Sequence, residues 1–97
     1  MPTYVTLMRY TDQGIRTIKE SPARLEAAKK VARDAGAEIK SFYLALGKYD
    51  AVVIIEGPDD ETAARLTLSF GSQGNVRTET LRVFNEAEFR KVVSSIP

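Results

Sequence analysis

The segment Gly47-Lys48-Tyr49-Asp50 sets a phenol beside a carboxylate just after a glycine. Two chemistries suit that pair: Asp50 can hold a cationic group or take a proton, and Tyr49 can donate a hydrogen bond to a substrate oxygen. The same residues also suit a turn, since glycine permits positive φ, tyrosine favours a strand, and aspartate bonds nearby backbone N–H groups. Further polar groups sit at the ends of expected elements: Tyr10, Asp12, Gln13, Ser21, Ser72, Gln73, Asn75 and Arg77. Arg9, Arg77, Glu79 and Arg82 fall inside expected strands, where charged residues protect edges, form interfacial ion pairs or line a cavity between sheets. Asp59-Asp60-Glu61 has the composition of half a metal site, but acids at a helix start are explained by capping and the helix dipole.

The chain of 97 residues contains no Cys and no His. Disulfides, thiolate zinc sites, thiol or imidazole nucleophiles and the commonest general base are thereby excluded. We expect no cofactor and no bound metal. Fourteen Lys and Arg against 13 Asp and Glu leave a net charge of +1, which argues for neither nucleic acid nor an anionic membrane as partner. The longest apolar run, Ala51 to Ile55, is far shorter than the roughly 20 residues needed to span a bilayer, and no signal-like segment opens the chain. A single domain over residues 1–97 and a cytoplasmic location are the expectations.

The elements that must position these groups follow from residue patterning. Thr3 to Tyr10 is β-branched, aromatic or apolar and reads as a strand, broken by Thr11-Asp12-Gln13-Gly14. Thr17 and Glu20 have capping-box spacing within Gly14 to Glu20, which predicts a short helical turn there. Ser21-Pro22 reads as an N-cap and first helical residue, with Leu25, Ala28, Ala32 and Ala35 at helical spacing and Gly36 at the end. Glu38 to Leu46 and Tyr49 to Glu56 are strand-like, and the two residues between them predict a tight antiparallel hairpin. Gly57-Pro58-Asp59-Asp60-Glu61 starts a second helix, which Gly71 and Gly74 should stop. Val76 to Phe84 is the last strand. Asn85 and Glu88 then cap a helix whose Phe89, Val92, Val93 and Ile96 share one face.

This order is β-α-β-β-α-β with an extra C-terminal helix, an α+β chain of ferredoxin-like type with a four-stranded antiparallel sheet. Right-handed crossovers put both main helices on one sheet face and make the first and third strands central. The hairpin then shares an end of the sheet with Tyr10, Gln13, Ser72, Asn75 and Arg77. Together with Tyr49 and Asp50 these are the expected ligand-binding residues, suited to a small anionic or zwitterionic metabolite. Val52 to Ile55 are all aliphatic, so both faces of the third strand are apolar while the helices cover one. Either the C-terminal helix folds back over the other face or a second copy covers it.

Leu46 to Val53, with its Gly-x-Tyr-Asp, resembles the signature of the GYD domain family. The likeness extends to Thr3 to Leu7, Ser21-Pro22, Gly57 to Asp60 and Gly74 to Leu81. It implies a ferredoxin-like domain of the dimeric α/β-barrel type and little chemistry. The hairpin is also similar to one in the ligand-sensing domain of leucine-responsive transcription regulators, which oligomerise and bind amino-acid effectors. No helix-turn-helix segment accompanies it in this chain.

These readings together point to a homo-oligomeric module that binds a small ligand or regulates a partner, with itself as the first partner. The alternatives are a cofactor-independent enzyme using Tyr49 or Asp50, and a structural assembly subunit.

Overall fold

Segments rich in β-branched, aliphatic and aromatic side chains form four strands of one sheet. The computed structural model describes residues 1–97. Its elements are β1 (Thr3–Tyr10), α1 (Asp12–Arg16), a 3-10 turn (Ile18–Glu20), α2 (Ser21–Asp34), β2 (Glu38–Leu44), β3 (Ala51–Glu56), α3 (Asp60–Ser72), β4 (Val76–Val83) and α4 (Glu86–Ser94). The sheet order is β2-β3-β1-β4 and every pair is antiparallel. The expected ferredoxin-like arrangement, with β1 and β3 central, is the one the chain adopts.

Register decides which residues meet. Tyr4 lies opposite Ile55 and Thr6 opposite Val53, and these residues face α2 and α3. There they form the core with Ala32, Ala37, Ala63 and Leu66. Thr6 and Thr80, paired across β1 and β4 on that face, share a hydrogen bond of 2.9 Å, so two polar side chains enter the core already satisfied. The start of α3 is fixed by Asp59, whose carboxylate accepts the Thr62 amide at 2.8 Å. That backbone bond, with the Thr62 hydroxyl, holds the Asp59 carboxyl below its ordinary value.

On the opposite face Val5 pairs with Ile54 and Leu7 with Val52. No helix lies over them. The chain does not fold α4 back across this face: α4 buries none of its residues, and no other element packs along it. Its capping box forms as the spacing predicts, with Asn85 and Glu88 each accepting the other's backbone amide. The radius of gyration, 14.6 Å, exceeds the roughly 12.5 Å of a compact chain of this length, as a projecting helix requires. No helix is long and apolar enough to cross a membrane.

Four local expectations need correction. The β2–β3 connection is wider than a two-residue turn, because the strands end at Leu44 and begin at Ala51, with Leu46 98% exposed in the loop and Gly47 at φ 128°. A helical turn does form within Gly14 to Glu20, at Ile18–Glu20, but without the expected capping box, because the Thr17 side chain makes no cap bond; a further short helix, Asp12–Arg16, precedes it, capped by the Thr11 hydroxyl. Ser21 is the first residue of α2 and not its cap, because its hydroxyl is spent on Tyr10. Gly71 lies inside the last turn of α3, and the chain leaves the helix through Gly74 at φ 84°, a conformation open to glycine.

Candidate functional site

The last residues of β1 gather the polar end. Beyond Met8–Ala51, the final residue pair of the β1–β3 ladder, the Asp50 carboxylate accepts the Tyr10 amide at 2.9 Å while the Asp50 amide donates to the Met8 carbonyl at 2.8 Å. The Asp50 carbonyl also receives the Ala45 amide, closing the base of the loop. Asp50 therefore ties β1, β3 and the hairpin together. The Tyr10 hydroxyl shares a 2.9 Å hydrogen bond with Ser21, which joins the end of β1 to the first turn of α2.

A second knot binds α1 to the start of β4. The Thr11 amide donates to the Asn75 carbonyl, and the Gln13 side-chain nitrogen donates to the Asn75 side-chain oxygen at 3.0 Å and to the Gln73 carbonyl at 3.2 Å. Gly14 is buried in this contact, and a Cβ there would come within 2.0 Å of the Asn75 carbonyl oxygen. Only glycine fits. Arg24 of α2 then donates to the Thr17 hydroxyl and to the Gly14 and Thr17 carbonyls, pinning α1 from the helix side.

Tyr49 belongs to a different surface. Its hydroxyl donates to Glu79 at 2.6 Å, across the open sheet face, and Arg9 stacks over its ring at 4.8 Å. The hydrogen bond to Glu79, more than any burial, raises the Tyr49 phenol above its ordinary value of 10.0. Arg77 stands opposite Arg9 in the β1–β4 register, so two guanidinium groups, one carboxylate and one phenol share a corner of that face. Arg82, expected beside them, points the other way, toward the Tyr4 and Phe84 rings on the helix side.

Of the expected ligand residues, Tyr10, Gln13, Asp50 and Asn75 are thus drawn together at one end, with most of their polar atoms engaged inside the chain. Tyr49 and Arg77 lie on the open face. Ser72 joins neither group, since it is exposed and its hydroxyl returns to the Ser69 carbonyl. Sequence reasoning overlooked Arg24 and the steric demand at Gly14. The only signal for the first was a basic residue at the start of an alanine-rich helix, and for the second a glycine that seemed only to break a strand.

Comparisons with known proteins agree with this architecture. A crystal structure of the Mycobacterium tuberculosis leucine response regulatory protein LrpA superposes with a TM-score of 0.66 over 87% of this chain at 19% identity, a likeness of fold. The chain spans about half of that protein, 51% of its length. A relative from Thermus thermophilus is 37% identical over 89 residues, covering 91% of this chain and 94% of its own, and is named a glutamine synthetase and cystathionine beta-lyase binding protein. The family model of the GYD domain matches residues 4–93, so the chain belongs to the GYD domain family.

Proposed function

We propose that the chain is a homo-oligomeric regulatory module that docks on a metabolic enzyme and takes up a small metabolite. The observation that carries this reading is the near full-length, 37% identity to a relative named for binding two enzymes. Two features of the fold support it. The open face formed by Val5, Leu7, Val52 and Ile54 offers a sheet-on-sheet contact to a second copy, and the exposed stripe Phe89, Val92, Val93 and Ile96 offers a further apolar contact. The polar end behaves as scaffold, because Asp50 and Tyr10 spend their side chains on the fold, where a catalytic acid or base would need its reacting atom free.

Sedimentation tests both parts. The chain alone should sediment above its monomer mass of 10.7 kDa at micromolar concentration. Mixed with glutamine synthetase or cystathionine beta-lyase from its own source organism, it should move saturably with at least one of them. A monomer that leaves both enzyme boundaries unchanged would overturn the reading.

A further inference from the structure

The helix layer does not close against the sheet. Alanines make up much of the core, Ala32, Ala37, Ala51 and Ala63 among them, and no large side chain is fully buried. Between α2, α3 and the sheet this leaves a cavity of about 130 Å³, walled mainly by Met8, Leu25, Val31, Phe42, Val53 and Phe70. Native interiors seldom keep voids larger than a water molecule, because their walls forfeit dispersion contacts. A closed void of roughly 150 Å³ lined by aliphatic and aromatic side chains accepts benzene, and this space is of similar size, although it opens to solvent beside Val31, which is 40% exposed. The space therefore suits an apolar body of about six heavy atoms.

One part of the wall is polar, and its chemistry has a sign. Arg24, Gln73, Asn75 and Thr78 line it, and no Asp or Glu lines any part of the cavity. The Asn75 side-chain oxygen is held by Gln13, which leaves the Asn75 side-chain nitrogen as a donor without a partner in the chain. The Gln73 side-chain amide and the Thr78 hydroxyl likewise make no hydrogen bond within the chain, so three neutral groups able to donate accompany one guanidinium. Arg24 keeps its place through the Thr17 and Gly14 oxygens and is a quarter exposed. Its nearest acid, Glu20, is 3.9 Å away and 70% exposed, so solvent screens it.

We propose that this cavity binds a small apolar monocarboxylic acid, its hydrocarbon body against Phe42 and Phe70 and its carboxylate toward Arg24, Asn75 and Thr78. The lack of any acidic wall residue selects against an amino acid of the same carbon frame, because its ammonium group would meet the Arg24 guanidinium and no anionic partner. The site lies on the helix side of the sheet, away from the open face. It rests on the proposed function only in that a small ligand is bound.

The test is a titration of the whole chain followed by its backbone amide resonances. The probes are isocaproate, L-leucine, which adds an α-amino group to the same frame, and the alcohol corresponding to isocaproate. Isocaproate should saturate shifts at Ala28, Val31, Phe70 and Thr78 and bind at least ten-fold tighter than either of the others. Ala28→Met, which fills the cavity, should abolish those shifts, and Thr78→Val should weaken isocaproate several-fold while leaving the spectrum otherwise folded. Should Ala28→Met fail to fold, the ligand series and Thr78→Val decide the matter alone. Equal binding of leucine or the alcohol, shifts centred on Val5, Leu7 and Ile54, or no shifts would each overturn the proposal. Neither enzyme partners nor self-association enter this measurement, so its failure and that of the docking reading are separable.

Discussion

The Asp50 carboxylate accepts the backbone amide of Tyr10 at 2.9 Å, one step beyond the last residue pair of the β1–β3 ladder. A side chain thus does the work of a strand's carbonyl, and the preceding residue of the motif, Tyr49, is free to cross the open face to Glu79. Neighbouring residues of one short motif serve the fold and the surface respectively, and both lie in the loop ahead of Ala51, where the chain is free of strand alternation.

That division predicts different responses to substitution. Asp50→Asn should lower stability by less than about 1 kcal/mol, since an amide oxygen still accepts the Tyr10 amide, whereas Asp50→Ala should cost about 1.5–3 kcal/mol by orphaning it. Tyr49→Phe should leave the urea midpoint nearly unchanged and alter association or partner binding. Equal stability losses in Tyr49→Phe and Asp50→Ala would show that the whole motif is architectural.

Tyr4 and Asp60 make stability sensitive to high pH. Burial, and then the hydrogen bond to the Asp60 carboxylate, raise the Tyr4 phenol from 10.0 to about 12. The folded state therefore prefers the protonated phenol. Its contribution is whole below pH 10 and is lost as the pH rises from 10 toward 12. Tyr4→Phe should lower stability at neutral pH by about 1–2 kcal/mol, flatten this alkaline loss, and remove the last step of the tyrosine absorbance titration. A titration still showing that late step would place it on another tyrosine.

Gly14 carries a steric prediction. A methyl group there meets the Asn75 carbonyl oxygen at 2.0 Å, and backbone cannot swing aside as a side-chain tip would. Gly14→Ala should cost about 2–3 kcal/mol and loosen the α1–β4 contact, which faster hydrogen exchange at Thr11 would report. Unchanged exchange and stability would mean that α1 moves freely.

The strands, their order and the caps at Asp59 and Asn85 could be read from sequence because each depends on neighbours a few residues away: alternation, aliphatic runs, an acid ahead of a helix. The corrections concern contacts between distant segments. Ser21 has every local mark of a cap, yet Tyr10, eleven positions earlier, takes its hydroxyl. The GxYD turn reads as a two-residue hairpin until Asp50 is drawn back to β1, which widens the loop. The cavity was equally hidden, since Leu25 and Ala28 mark a helix face without revealing whether the volume above them is filled.

The last prediction separates the two uncovered apolar surfaces. Val52 sits mid-sheet between Leu7 and Tyr43, and on the monomer a lysine there can carry its charge out to water along its methylene stem. Under a second sheet the same charge would be buried without a partner, at a cost of several kcal/mol. Val52→Lys should therefore yield a folded monomer whose melting changes far less than its association. Deleting Asn85 to Pro97 removes Phe89, Val92, Val93 and Ile96, none of them buried within the chain, so it should change the fold's own stability by less than about 1 kcal/mol. If pairing runs through the sheets, the truncated chain stays dimeric and Val52→Lys does not. The reverse pattern would assign the contact to α4. Both variants remaining dimeric at micromolar concentration would show that copies meet through neither surface.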